Sequence, residues 1–427
     1  MIERNYPELC DRFFEHQLEN GLIIRVIPRP GFAKKLAFLA TDFGSIDSRF
    51  RLNGKDHHVP DGIAHYLEHK MFDLPEGGAM EQFALHAGSN NAFTNYSMTA
   101  YYVECTSEFE ENLKILLRMV TTPYFTEQSV EKERGIIAQE IRMYEDSADS
   151  VVEENLLRIL YPDHPVSIPI AGTVESIGEI TAQTLYDCHK AFYDCSNMLL
   201  CVIGDVDCET VVRLAKQYTP PKSGVQVERD HGSEAALQGH AGRIEKRMEV
   251  SMPTFSVGFP CKKVERGENT IRTEIIGDLA AEVLIGESSR LYQRLYEQNL
   301  IDSDFSAGFE QIKGVGFLEL SGDSEDPDAV IAAALEEAGK LADDGIDREQ
   351  FERLRRSMIG RRTRELDSFD GVCYRMSAYF FDGAEYFDYV RLIKEIKAEE
   401  VEQFLREVVK EETMAVSVIL PKQEREA

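Results

Sequence analysis

The sequence is short of basic residues, and it contains no long apolar run. Lysine and arginine together number 47 against 76 aspartates and glutamates, which leaves a net charge of −29. A charge of that sign argues against nucleic acid and against an anionic membrane as partners. No stretch approaches the roughly eighteen consecutive apolar residues of a membrane span, so no membrane segment is expected.

The first eight residues also lack the basic start and apolar stretch of a secretory signal, so we expect a cytoplasmic location. The acidity then has two interpretations. It keeps the protein soluble in a cell interior, or it lines a cavity that favours basic or neutral peptides. The sequence does not show where the charges cluster, so both interpretations stay open.

None of the eight cysteines forms a C-x-x-C pair. Four of them fall at residues 188, 195, 201 and 208, with spacings that do not match a zinc chelate. In a long chain without a predicted secretory signal, they are expected to be reduced thiols. Cys201 lies in an apolar run, where a small buried thiol suits a strand.

A length of 427 residues with 43% hydrophobic content predicts two or three globular domains. A polar, proline- and glycine-containing stretch over 219–245 is interpreted as a linker. It separates a predicted catalytic domain, 1–218, from a second, non-catalytic domain, 246–427. Both parts mix strands and helices in a similar order, which predicts an internal duplication. The expected fold class is α+β, with an antiparallel or mixed sheet layered with helices in each half.

Three predicted elements bear on function. A helix is expected to begin near Asp61, with Asp61 as its N-cap. Residues 91–106 are rich in aromatic and β-branched side chains and predict two strands or a hairpin. A single helix is expected over 127–159.

The strongest chemical signal is His65-x-x-Glu68-His69. On a helix these three positions share one face, so both imidazoles can reach one ion with the carboxylate beside them. Zinc accepts imidazole nitrogen, and a neighbouring carboxylate can take the proton of an attacking water. The order of residues is the inverzincin signature. The alternative is a chance pattern on a solvated helix, against which the mostly apolar neighbouring residues argue.

A third protein ligand is needed for a catalytic zinc site. Glu133 and Glu140 are seven residues apart, which is two helical turns, so they share a helix face. Glu140 follows three apolar residues, which indicates a buried side. Helix periodicity alone equally allows ordinary surface acids in an acidic protein.

The chain resembles the pitrilysin superfamily of zinc peptidases, which includes insulin-degrading enzyme, mitochondrial processing peptidase and small bacterial relatives. The resemblance is to the YmfH-like branch, covers essentially all of residues 15–215 and is fainter beyond them. The segments that carry it are 62–72, 87–94, 133–141, 164–165 with 171–173, and 197–205.

The resemblance implies a role for each matching residue. His65, His69 and Glu140 would bind Zn²⁺, and Glu68 would be the catalytic base. Glu133 would be a further catalytic-site acid that orients a ligand. The expected substrate-binding residues form an edge strand to which a peptide adds as a further strand; they are Asn91, Ala92, Phe93 and Thr94.

Relatives of this length resemble half of a clamshell. The resemblance therefore implies a homologous companion chain, as a heterodimer, or a second copy, as a homodimer. Many relatives carry an arginine and a tyrosine in the second half that engage substrate. Here Tyr296 stands near the expected arginine and Asp302 near the expected tyrosine, so a companion chain could supply the pair.

The function predicted first is a zinc endopeptidase that cuts peptides, leader segments or unfolded segments inside a closed chamber. A non-catalytic or scaffold subunit of a two-chain peptidase is the first alternative, although such subunits lose the zinc motif. A metal-dependent hydrolase of a non-peptide substrate is the second, and the strand at residues 91–96 argues against it.

Overall fold

The structure is a computed structural model that describes residues 1–422. Its strands are β1 (Ile2–Tyr6), β2 (Asp11–Gln17), β3 (Ile23–Pro28), β4 (Lys35–Thr41), β5 (Arg49–Leu52), β6 (Lys55–His58), β7 (Asp73–Leu74), β8 (Gly77–Gly78), β9 (Ser89–Thr94), β10 (Thr99–Cys105), β11 (Met198–Gly204), β12 (Val227–Arg229), β13 (Gly242–Met248), β14 (Thr254–Pro260), β15 (Ser306–Ile312), β16 (Val315–Asp323) and β17 (Ala415–Pro421). Its α-helices are α1 (Ile63–Lys70), α2 (Ala79–Leu85), α3 (Phe109–Thr121), α4 (Glu127–Asp146), α5 (Ala148–Leu160), α6 (Val174–Gly178), α7 (Ala182–Phe192), α8 (Cys208–Tyr218), α9 (Glu268–Ile285), α10 (Arg290–Glu297), α11 (Pro327–Asp344), α12 (Arg348–Arg364), α13 (Phe369–Phe381), α14 (Tyr389–Glu395) and α15 (Ala398–Val408).

Two mixed sheets organise the chain, and the predicted α+β class is confirmed. The first sheet has the strand order β1-β2-β3-β11-β4-β10-β9, and the second has the order β13-β17-β14-β16-β15. In the first sheet β3 and β11 are parallel and the other pairs are antiparallel. In the second sheet β13 and β17 are the parallel pair.

The second sheet repeats the last five strands of the first. Each five-stranded set begins with a parallel pair and continues with three antiparallel neighbours. The chain visits these five positions in the same order in both sets. This matching topology supports the internal duplication, which is hard to see in the residues because many apolar side chains can fill equivalent core positions.

The centre of the first sheet follows from local sequence. All seven residues of β11 are buried. They are apolar and partly β-branched, and such a run suits a strand that is covered on both faces. One face packs on α3, through core residues such as Leu39 and Val103. On the other face Cys201 lies 3.8 Å (Sγ to Oγ) from Ser377 of α13.

Contacts divide the chain into two compact units that are interleaved in sequence. The first unit comprises Met1–Ile141, Pro169–His231 and Arg364–Phe381. The second comprises Arg142–Ile168, Gly232–Thr363 and Asp382–Ala427, of which the structure describes the residues up to 422. The predicted domains 1–218 and 246–427 describe a repeat along the sequence and not these spatial units. Their boundaries at residues 218 and 245 therefore stay a prediction.

Two helices account for most of the interleaving. Helix α13 comes late in the chain but packs on β4 and β11 of the first sheet. Helix α5 comes early but packs on β14 and β17 of the second sheet. Gly258 of β14 makes room for α5, since a Cβ there would lie 2.8 Å from the Leu160 side chain.

Three expectations about secondary structure need correction. The helix predicted over 127–159 is two helices, because the Ser147 side chain accepts a hydrogen bond from the Ser150 amide and caps α5. Helix α1 has Gly62, not Asp61, as its N-cap. The predicted linker contains β12, which pairs with β5, and its last residues begin β13.

The predicted hairpin over 91–106 is present as β9 and β10, which pair antiparallel. Among residues 1–422, no helix is both long enough and apolar enough to cross a membrane.

Candidate metal centre

Helix α1 carries the His-x-x-Glu-His residues, and a glycine determines how the chain enters it. Gly62 has a φ of +86°, and a Cβ at this position would lie 2.3 Å from the carbonyl oxygen of Ala171. The Ser176 hydroxyl donates to the Asp61 carbonyl over 2.9 Å, which holds the same turn. The loop around residue 171 therefore presses directly on the start of the helix, where only glycine fits.

His65 and His69 of α1 meet Glu140 of α4. The Nε2 atom of His65 lies 3.6 Å from Oε1 of Glu140, and Nε2 of His69 lies 3.5 Å from Oε2. The ligand atoms of the three residues all lie within 4.8 Å of one another. Within the described part of the chain, this is the only such group of three or more that could hold a metal ion.

The donor set suits zinc. These nitrogen–oxygen distances are too long for good hydrogen bonds. They are close to the separation of about 3.3 Å expected between two ligands that each bind one tetrahedral ion at about 2.0–2.1 Å. Two imidazole nitrogens and one carboxylate are also a known ligand set of catalytic zinc, which leaves a fourth position open.

Glu133 orients one of the two histidines. Nδ1 of His69 donates to Oε1 of Glu133 over 3.0 Å, which leaves Nε2 of the same ring directed at Glu140. This hydrogen bond lowers the pKa of Glu133. Burial lowers the pKa of His69, but Glu133 and the nearby carboxylates of Glu140 and Glu68 outweigh it and raise that pKa to about 9.

Glu68 is buried beside the two histidines, with 8% of its surface exposed. The Thr94 hydroxyl of β9 donates to Oε2 of Glu68 over 2.7 Å. Burial raises the pKa of Glu68, while Thr94 and the two histidines act in the opposite direction. A carboxylate with a raised pKa that is held by a hydrogen bond is suited to accepting a proton.

Strand β9 forms one edge of the first sheet, next to β10. Side chains of a strand alternate between the two faces of its sheet. Ala92 and Thr94 share the face that contacts α1, while Asn91 and Phe93 lie on the opposite face. The four residues predicted to bind substrate are therefore split between two faces, and the side chain of Thr94 is engaged by Glu68.

Three contacts near the candidate site were not predicted from the sequence. One is the hydrogen bond from Thr94 to Glu68, which the strand alternation around Ala92 could have suggested. The other two hold α4 in place: the Tyr66 hydroxyl donates to the Val130 carbonyl, and Arg134 donates to the Ile180 carbonyl over 2.9 Å. No sequence signal pointed to these two, because each joins segments that are far apart in the chain.

Tyr296 and Asp302, the positions at which the resemblance led us to expect an arginine and a tyrosine, belong to the second unit. Tyr296 lies on α10, is 51% exposed and stacks on Tyr292 with ring centroids 6.1 Å apart. The hydroxyl of Tyr292 donates to the Asp302 carbonyl over 3.3 Å. These contacts are local to the second unit.

Comparison with protein families agrees with this fold. The model described as Insulinase (Peptidase family M16) matches residues 55–174, and the model described as Peptidase M16 inactive domain matches residues 179–358. The Bacillus subtilis (strain 168) protein named Uncharacterized zinc protease YmfH is 37% identical over 425 residues, which cover 98% of each chain. The chain belongs to the insulinase family of peptidases, family M16.

Solved structures agree as well. The crystal structure of an M16-like peptidase from Alicyclobacillus acidocaldarius has a TM-score of 0.92 and 33% identity, and the match covers 96% of this chain and 98% of that one. Pitrilysin has the same fold at 20% identity, with a TM-score of 0.76 and coverage of 96% of this chain but 45% of its own. The resemblance to the YmfH-like branch of the pitrilysin superfamily is confirmed. Zinc peptidase is the class that the family and its named relatives support for this chain.

Proposed function

We propose that this chain is a zinc endopeptidase that hydrolyses peptides, leader segments or unfolded segments. The observation that carries the proposal is the convergence of His65, His69 and Glu140, with Glu68 buried beside them. Three candidate ligands, a candidate base and a largely buried environment support metal-assisted peptide hydrolysis.

Each residue has a defined task in this proposal. His65, His69 and Glu140 hold the ion, and Glu133 keeps His69 in the tautomer that presents Nε2. When bound, zinc supplies a Lewis acid and lowers the pKa of water. Glu68, held by Thr94, accepts the proton of the attacking water and passes it to the leaving amine.

The edge strand β9 would bind the substrate in an extended conformation. A peptide that adds to β9 pairs through main-chain groups, which read little sequence. Thr94 of the same strand contacts the proposed base, so a peptide on this edge lies close to Glu68. This arrangement favours a peptide over a small ester as the substrate.

The substitution Glu68→Gln tests the proposal. It removes the base and no ligand, so kcat for a quenched peptide should fall about 10²- to 10⁴-fold while zinc remains near one per chain. Glu81→Gln is the matched control, because Glu81 is exposed on α2. A near-normal rate for Glu68→Gln would contradict the mechanism. Far less than one zinc in the wild-type chain, with no turnover, would favour the scaffold-subunit alternative.

The proposal includes a companion, as a homologous chain or a second copy, and a cytoplasmic location. The chain matches only about half of pitrilysin, which leaves room in that protein for a further part of similar size. Peptidase assays with and without the candidate companion test this. Full activity of the purified chain as a monomer would contradict it.

A further inference from the structure

The face of the first sheet that lies away from α1 carries aromatic side chains beside the edge strand β9. Phe93 lies on this face, and its ring centroid is 5.6 Å from that of Tyr374 and 6.1 Å from that of Phe38. Phe38 in turn stacks on Tyr102 at 5.5 Å. Both Phe93 and Tyr374 belong to the first unit, so this cluster is defined by contacts within that unit.

The Phe93 ring extends over the neighbouring strand β10 towards the centre of the sheet. Its direct partner in the register of β10 is Ala100. The small alanine side chain leaves room for the ring to reach Phe38 on β4, one strand further in. Phe93 is only half-buried despite these contacts.

Tyr374 contributes the outer part of the cluster from α13. Tyr374 is 39% exposed, and Nδ2 of Asn95, directly after β9, donates to its hydroxyl over 3.4 Å. Helix α13 is itself anchored on the first sheet, where Ser377 contacts Cys201 and Phe369 contacts Phe32. Tyr374 is therefore held at the end of the edge strand with part of its ring accessible.

We propose that Phe93 and Tyr374 form an aromatic subsite that selects a large apolar or aromatic side chain in the bound peptide. The inference rests on the proposed function, because it requires a peptide added to β9. Side chains of an added strand alternate between faces. The peptide residue that pairs with Phe93 directs its side chain to the face of Phe93 and Tyr374, and its two neighbours point to the α1 face.

The strand alternation makes the subsite selective at one position. Main-chain pairing accepts any residue, so selection must come from pockets for alternate side chains. An aromatic side chain placed against two aromatic rings buries apolar area and gains from ring packing. An alanine at the same position leaves the accessible parts of both rings in contact with water.

The test uses quenched peptides that carry phenylalanine or alanine at each position in turn around one cleavable bond. The wild-type protein should show one position at which phenylalanine raises kcat/KM by about tenfold or more. Tyr374→Ala should bring this ratio close to one and leave kcat/KM for the alanine peptide within about threefold. Tyr374→Phe, which keeps the ring, should retain the preference.

Tyr124→Ala is the matched control, since Tyr124 is 38% exposed in the first unit and belongs to neither β9 nor α13. Its phenylalanine preference should equal that of the wild type. If Tyr374→Ala does not fold, Phe93→Leu makes the same test, and the ratio should again fall.

Wild-type activity without preference at any position, or a preference unchanged in folded, zinc-containing Tyr374→Ala or Phe93→Leu, overturns the subsite. Absence of all peptide hydrolysis by the zinc-loaded wild type would instead overturn the proposed function. The two failures are therefore distinguishable.

Discussion

At the scale of single residues, two hydrogen bonds hold the chemical groups of α1 in place. Glu133 accepts from His69, and Thr94 donates to Glu68. Neither partner lies on α1, so the helix alone supplies the side chains but not their orientation. Buried polar groups with defined partners are more precisely placed than exposed ones, because each partner removes rotamer freedom.

Replacing Glu133 tests the orienting hydrogen bond. Glu133→Gln keeps the side-chain shape but removes the charge beside Nδ1 of His69, so zinc affinity should fall about 10- to 100-fold. Competition with a zinc chelator measures the change. Glu131→Gln is the control on the same helix, since Glu131 is exposed and its ion pair with Arg134 contributes little. Equal affinity of the two variants would show that Glu133 does not orient the ligand.

The free energy of unfolding should depend on pH through Glu310 of the second unit. Desolvation by the surrounding chain raises its pKa from an ordinary 4.5 to about 7, and the nearby Glu319, Asp278, Glu153 and Glu274 add to this. The side chain still contacts solvent, which weakens its coupling to stability. Arg362 pairs with Glu274 and Asp278 and offsets part of their charge. The folded state thus binds a proton more tightly than the unfolded state does. This contribution to stability is fully present below about pH 4.5 and is lost as the pH rises through about 7.

Glu310→Gln mimics the protonated side chain at every pH. Thermal unfolding should therefore show a slightly higher Tm than the wild type at pH 8 and little difference at pH 4.5, since solvent screens an exposed group. Glu325→Gln, at an exposed position before α11, should change Tm little at either pH. A Tm difference for Glu310→Gln that does not depend on pH would contradict the raised pKa.

At the scale of elements, the start of α1 depends on a backbone conformation as much as on helix propensity. Gly62 has a positive φ and lies against the Ala171 carbonyl. The periodicity of the motif predicts a helix, and the structure confirms it. The loop at residues 171–172 determines the first residue and the N-cap of α1. This loop is distant in sequence, so the sequence of α1 alone does not predict where the helix begins.

Two glycine substitutions distinguish the stability cost of a positive φ from the stability cost of a steric clash. Gly54 has a φ of +82° with open space around it, so Gly54→Ala should cost about 1–2 kcal/mol from the backbone alone. Gly62→Ala has similar strain and also a clash, so it should cost about 1–3 kcal/mol more and lower the zinc content. Thermal unfolding and metal analysis measure both effects. Equal decreases in Tm for the two variants would mean that the loop at residues 171–172 moves to accommodate the new Cβ of residue 62.

At the scale of the whole molecule, each compact unit takes one helix from the other end of the chain. The first unit includes α13, which covers the face of β4 and β11 that carries Phe38 and Cys201. Because those residues are fully or almost fully buried, removal of α13 exposes a large apolar surface. A cut at the predicted linker would therefore leave the first sheet uncovered on one face.

A fragment of residues 1–218 tests this dependence. We expect it to bind less than one zinc per chain and to expose Cys201, which is fully buried in the intact chain, to a thiol reagent. Co-expression of residues 219–427 as a separate chain supplies α13 and should restore zinc binding and protect the thiol. A fragment 1–218 that folds and binds one zinc alone would show that the predicted boundaries are also folding boundaries.

The sequence by itself determined the local parts of this protein. Helical spacing places His65, Glu68 and His69 on one face, and strand alternation predicts the hairpin of β9 and β10. These patterns could be read because they depend on residues a few positions apart. Glu140 was a candidate for the same reason, although surface acids at the same spacing remained an alternative.

Only the tertiary structure decided which distant segments meet. It brings Glu140 to the two histidines, Thr94 to Glu68, and Tyr374 of α13 to Phe93 of β9. It also breaks the long predicted helix at Ser147 and distributes α5 and α13 between the two units. The physical reason is that such contacts arise from the packing of whole sheets and helices, which no short stretch of sequence specifies.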